Sequence, residues 1–216
     1  MIPLRALLRR QSVPTMTVLI IIINTFCFLF EEVQPGYMQN AFIAHYALVP
    51  DHLRPFSLIT SMFLHGGWLH LIGNMWFLWV FGSHVEDALG SAKFTVFYLV
   101  SGIVSGIVQL MLNLGSAVPT IGASGAIAGV MGAFLILYPR ARVVTLIFII
   151  VFITTVELPA AFMLIYWFLI QLVSGLTSFS SFTDQGGVAW FAHVGGFLAG
   201  LLLVRVFLGN RRRYSY

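Results

Sequence analysis

Gly122-Ala-Ser124-Gly125 sets a hydroxyl among small residues at the start of one apolar run, and Ala192-His193 opens another. A serine hydroxyl is a weak nucleophile until a neighbouring base takes its proton. Imidazole, whose pKa sits near neutrality, is suited to that task. His70 and Asn74 stand four residues apart and share one face if their stretch is helical. Both can donate hydrogen bonds to a developing oxyanion. The backbone N–H of Ser124 can do the same, because the first N–H groups of a helix lack an intrahelical partner. These are the parts of a site for nucleophilic acyl transfer. No Asp or Glu within the apolar runs is placed to orient His193, so the residues suggest a Ser–His dyad rather than a triad.

The elements that must hold these groups are set by composition. Hydrophobic residues make up 59% of the 216-residue chain and charged residues 8%, with a mean hydropathy of +0.96. A soluble domain carries roughly 25% charged residues, so this chain cannot cover itself against water. Soluble enzymes, disordered chains and DNA-binding modules are excluded. Six segments are long and apolar enough to span a bilayer: 14–30, 67–83, 92–113, 123–139, 158–176 and 188–208. The expected fold is an all-α membrane protein, a six-helix bundle over 14–208. It is flanked by an N-terminal segment, 1–13, and a basic tail, 209–216.

The stretch 143–174 is ambiguous, being apolar almost throughout but broken at Glu157-Leu-Pro159. Charge decides how it is divided. With six spans, Arg5, Arg9, Arg10, Lys93, Arg140, Arg142, Arg205 and Arg211 to Arg213 lie on one side, and only Arg54 on the other. The positive-inside rule makes the first side cytoplasmic, with both termini there. The segment 143–155 is accordingly read as interfacial, with the fifth span starting near Leu158. Topology and anionic lipid account for the basic ends, so no nucleic-acid partner is expected.

In this arrangement spans two, four and six run in the same direction. Ser124, His193, His70 and Asn74 all fall within about two turns of a helix start, roughly 10 Å from the outer interface. Intramembrane polar groups are costly and are functional candidates by default. Taken singly, each has a structural reading, as a packing serine or a satisfied interhelical histidine. Their shared depth is what those readings leave unexplained. Gly125 and Gly129 form one GxxxG pair, and Gly196 and Gly200 another. Small residues let helix backbones pack closely in lipid, so these pairs are expected to bring Ser124 to His193. Gly122 and Gly125 also let backbone and substrate approach closely. No metal site is expected, because His65, His70 and His84 do not assemble at one interface. Cys27 reads as a small buried hydrophobe. A transporter would show an inverted repeat or midplane charges, and neither is present.

At these residues the sequence resembles the rhomboid family of intramembrane serine proteases. His65-Gly-Gly-Trp-Leu-His70-Leu-Ile-Gly-Asn74 resembles its HxxxxHxxxN motif. Gly122-Ala-Ser124-Gly125 resembles GxSG, and Ala192-His193-Val-Gly-Gly196-Phe-Leu-Ala-Gly200 resembles AHxxGxxxG. The resemblance implies Ser124 as nucleophile, His193 as general base, and oxyanion stabilisation by His70, Asn74 and the Ser124 N–H. It implies structural roles for His65 and for Glu86, no cofactor, and transmembrane segments of other membrane proteins as substrates, cut near the outer face. The fifth span and its overlying loop would form a lateral gate. The short form is similar to the basic bacterial type, pointing to a bacterial inner membrane, and the oligomeric state is not specified. Two positions depart from common family patterns. The first loop carries only Arg54-Pro-Phe, and Ala128 stands where some members place an aromatic on the catalytic histidine. A catalytically silent, client-binding relative would lack the Ser or the His, and both are present.

Overall fold

Apolar runs punctuated by glycine and proline become helices, as the 3.6-residue period and the breakers require. The computed structural model describes residues 1–149, 152–180 and 188–208. A first strand, β1 (Ile2–Ala6), precedes helix α1 (Thr15–Glu32). A long connection follows, carrying α2 (Gly36–Tyr46) and the single turn α3 (Ser57–Thr60). Helix α4 (Trp68–Phe77) runs through a wide π-helical turn, Leu78–Gly82, into α5 (Ser83–Leu89). Next come α6 (Ser91–Leu112), α7 (Ser124–Leu137), strands β2 (Arg142–Ile149) and β3 (Phe152–Pro159), and finally α8 (Ala160–Ser180) and α9 (Trp190–Leu208). Four helices are long and apolar enough to cross a membrane: α1, α6, α8 and α9. Helix α7 is apolar but shorter.

The surface is inverted relative to a soluble protein. Leu19, Ile22, Phe26, Leu69, Val173 and Leu202 are exposed, while Thr17, Asn24, Glu86, Ser101, Ser105, Gln171 and His193 are buried. Helix α7 sits at the centre, with every residue from Gly125 to Phe134 buried. A helix apolar on all sides belongs inside a bundle or a membrane. Gly90 alone joins α5 to α6. Its φ of +81° is a conformation L side chains avoid, and its N–H closes α5 on the Glu86 carbonyl at 2.7 Å.

The expectation of an all-α chain is corrected by a three-stranded antiparallel sheet in the order β1-β2-β3. Of the segment 143–155, read as interfacial, the described residues 143–149 and 152–155 belong to strands β2 and β3, paired from Arg142↔Pro159 to Ile149↔Phe152. β1 adds to the free edge of β2 from Ile2↔Leu146 to Ala6↔Val143. The cause is the density of β-branched residues, Val143, Val144, Thr145 and Ile147 on β2 and Ile153, Thr154, Thr155 and Val156 on β3, with Thr145 facing Val156 and Ile147 facing Thr154. Pro159 falls at the strand end, where its missing N–H is not needed. The tail 209–216 lies outside the described residues.

Glu86 locks the first helix to this frame. The residue is 1% exposed, and its carboxylate accepts from Met16 N (2.9 Å), Thr17 N (2.7 Å), Thr17 Oγ1 (2.7 Å) and Ser91 Oγ (2.6 Å). It therefore caps the start of α1 from another element, a favourable place for an anion. Asp87 continues the clamp by accepting from Gln11 N, Ser12 N and the Ser12 hydroxyl. Replacing Glu86 with Ala is expected to cost about 2–4 kcal/mol, since bonds to an ionised acceptor are worth about 1.5–3 kcal/mol each and several donors are left dry. Thermal unfolding in detergent should show a lower midpoint for Glu86→Ala and a smaller drop for Glu86→Gln; an unchanged midpoint for Glu86→Ala would contradict this role.

Candidate active site

Three helices that begin at the same end of the bundle supply the polar groups. Helix α7 starts at Ser124, His193 is in the first turn of α9, and His70 is in the first turn of α4. Helices α7 and α9 run parallel with backbones in direct contact. A Cβ at Gly196 would overlap the Gly125 carbonyl, and one at Gly200 the Gly129 carbonyl. One at Gly129 would sit 3.2 Å from the Gly196 carbonyl oxygen and press on Ser101 of α6. Gly125 faces Ser105 of α6 in the same way. With no side chains between the two helices, Ser124 Oγ lies 2.7 Å from His193 Nε2.

Helix α6 fixes the height of α9. Ser105 Oγ donates to the Ala192 carbonyl (2.8 Å), and Ala192 N donates to Gln109 Oε1 (3.1 Å). Interhelical bonds in membrane proteins average about 0.6 kcal/mol. These two therefore contribute more to register than to stability, holding the backbone one residue before His193.

Gly122 makes the second junction. Its φ is +119°, and a Cβ there would lie 2.7 Å from the His70 ring and 3.6 Å from Asn74 Nδ2. Its N–H donates to the Ser61 carbonyl at 2.9 Å. His70 Nδ1 accepts the Gly66 N–H at 3.3 Å, so the neutral ring carries its proton on Nε2, the nitrogen that faces Gly122. Asn74 is 8% exposed, and its amide nitrogen is buried with no acceptor among the described residues. Two donors without an acceptor among the described residues thus converge on Gly122, two residues before the Ser124 hydroxyl. The positive end of α7 adds to them electrostatically. Such a group can deprotonate a serine and stabilise an oxyanion.

The connection between α1 and α4 braces this end. Leu48 and Thr120 exchange backbone bonds of 3.1 and 2.8 Å, and Asp51 N donates to the Ser116 carbonyl at 3.0 Å. His65 is buried behind the site, its N–H on Glu31 Oε2 at 3.3 Å and its ring 5.2 Å from that of His70. Glu86 lies apart from these groups, at the start of α1. His84 is also remote, its Nδ1 against the Val80 carbonyl at 3.1 Å.

A model of the Rhomboid domain matches residues 52–210, a stretch that contains every one of these site residues except Glu31, Leu48 and Asp51. The chain belongs to the rhomboid family. Among its relatives, RHOMBOID-like protein 5 of Arabidopsis thaliana is 33% identical over 159 residues, covering 74% of this chain and 46% of the relative. Rhomboid protease GluP of Bacillus subtilis is 33% identical over 126 residues, 56% of this chain and 24% of that protein. Mitochondrial Rhomboid protein 1 of Saccharomyces cerevisiae is 36% identical over 96 residues, 43% of this chain and 28% of that protein. The matches thus span less than half the length of each of these relatives. Membership and the apolar helices together make this rhomboid an integral membrane protein.

Sequence reasoning missed Ser105, Gln109, Trp167 and Gln171. His193 Nδ1 lies 2.6 Å from Gln171 Oε1 of α8, and the Trp167 ring lies 5.8 Å from that of His193. The rule that singled out Ser124 and Asn74, polar groups inside apolar runs, applies equally to Ser105, Gln109 and Gln171. Gly122→Ala tests the second junction, because it combines a strained φ with a collision on His70. The variant should fold, with labelling of Ser124 by a fluorophosphonate slowed by about tenfold or more, the scale of losing a preorganised donor. Labelling at the wild-type rate would mean that His70 does not depend on the bare Gly122.

Proposed function

We propose that this rhomboid is an intramembrane serine endopeptidase that cleaves transmembrane segments of other membrane proteins near the outer face. The observation that carries this reading is the 2.7 Å approach of Ser124 Oγ to His193 Nε2, beside two unspent donors. His193 Nε2 takes the Ser124 proton as Oγ bonds to the scissile carbonyl carbon. The negative charge moves to the carbonyl oxygen, which His70 Nε2–H, an Asn74 Nδ2–H and the Ser124 N–H receive. The C–N bond then breaks as the imidazolium gives its proton to the departing amine. Water, deprotonated by the same imidazole, attacks the acyl carbon, and Ser124 leaves with the proton.

A six-span topology with both termini cytoplasmic accommodates this chemistry. The continuous helical stretch from Trp68 to Leu89 is roughly 30 Å long, enough for the hydrocarbon core. The open edges of the small sheet are unsuited to hydrocarbon, where every backbone group needs a partner, and favour a place at the cytoplasmic interface beside Arg5, Arg140 and Arg142. The reactive groups then sit at the opposite, outer end, within reach of water. A substrate helix hides its peptide bonds in its own hydrogen bonds, so glycine or proline near the cut, which weakens the helix, aids attack. Within this topology α8 is the side through which a substrate helix would pass, and a bacterial inner membrane is the proposed site of action.

Reconstitution in liposomes with a fluorogenic transmembrane peptide tests the reading. Wild type should cleave, and Ser124→Ala and His193→Ala should fall to background. Asn74→Ala should lower kcat by about 100–1000-fold. Equal background from folded wild type and both dyad variants, with peptide bound, would favour a client-binding protein instead.

A further inference from the structure

The two nitrogens of His193 have different partners, and only one distribution of protons satisfies both. Nε2 faces Ser124 Oγ at 2.7 Å, a hydroxyl able to donate or accept. Nδ1 faces Gln171 Oε1 at 2.6 Å, an oxygen able only to accept. The neutral ring therefore keeps its proton on Nδ1 and presents the Nε2 lone pair to the serine, the form a general base requires. The Nδ1 bond is shielded from water, with Gln171 6% and His193 9% exposed, while Ser124 on the other side of the ring is half-buried.

Trp167 reinforces this from the same side. It stands one helical turn before Gln171 on α8, its ring 5.8 Å from the His193 ring and tilted by 37°. From α7, the residue below Ser124 is the buried Ala128, which offers no ring. The titratable side chain that acts on His193 from α4 is His70. Trp190, on α9 itself, approaches the ring edge-on at 6.4 Å.

We propose that Gln171 is a positioning residue that fixes the tautomer and orientation of His193, so that helix α8 completes the reactive pair held by α7 and α9. The inference rests on the protease reading above. A carboxamide carries no charge, so it orders the imidazole without the added stabilisation of imidazolium that an ionised carboxylate supplies. Removing it should accordingly slow the reaction while leaving substrate binding intact.

The test uses the full chain in liposomes with the same transmembrane peptide, from about pH 5 to 9. Gln171→Leu, which keeps the bulk and removes the acceptor, should lower kcat by about 10–100-fold with KM within about twofold, the pattern of a lost transition-state interaction. It should slow fluorophosphonate labelling of Ser124 in parallel. Gln171→Glu, which restores an acceptor and adds charge, should keep most of kcat and move the acid limb of the pH profile upward by about one unit, because the carboxylate favours imidazolium. Wild-type kcat in Gln171→Leu together with an unmoved acid limb in Gln171→Glu would overturn the assignment, while dependence on Ser124 and His193 would leave the protease reading standing. If Gln171→Leu fails to fold, the limb in Gln171→Glu decides alone, since a purely structural contact would not move it. Wild type without Ser124-dependent cleavage would instead remove the reading on which the inference rests.

Discussion

A hydroxyl on one helix reaches an imidazole on the next only if the two backbones come closer than ordinary side chains allow. Gly125 and Gly129 on α7, with Gly196 and Gly200 on α9, remove the side chains that would keep them apart, and carbonyl oxygens pack against bare α-carbons. The rest of the site is arranged around that contact. Ser101 and Ser105 press on α7 from α6, and Ser105 and Gln109 hold Ala192 at its height. A slip of one residue between α7 and α9 would move His193 by about 1.5 Å along the axis and turn it by about 100°, enough to break the pair.

The same logic explains why so many polar side chains lie inside an apolar molecule. In lipid an unpaired polar group has no water to fall back on, and the buried ones here include both well-partnered groups and groups with no partner among the described residues. Glu86 belongs to the first kind, with four donors around one carboxylate. The Asn74 amide belongs to the second, a buried donor beside the serine. Structure and the proposed chemistry therefore draw on one resource, the cost of leaving a dipole dry, used once for cohesion and, in the proposed reaction, once for reactivity.

Much of this was legible from residue order. Ser124, His193, His70 and Asn74 stand out because polar groups interrupt apolar runs near helix starts, and the helices occur where hydropathy places them. Gln171 obeys the same rule but is silent in sequence. Its partner is 22 residues away on another helix, and only the rotation of α8 against α9 aims it at Nδ1. The hairpin was missed for a different reason. Weighing charge between one and two helices over 143–174 left out the strand that Val143, Val144 and Thr145 favour. Nothing local in Ile2–Ala6 signals that it will pair with β2.

The clamp at Glu86 has a consequence for how the molecule is made. Helix α1 has its opening N–H groups satisfied by a carboxylate about seventy positions later, and β1 finds its neighbouring strand only after α7 exists. The segment from β1 to the start of α1 is thus made before the groups that complete it. Until α5 and β2 are in place, its strand edge and its opening N–H groups lack these partners, so its completion waits on the elements that follow.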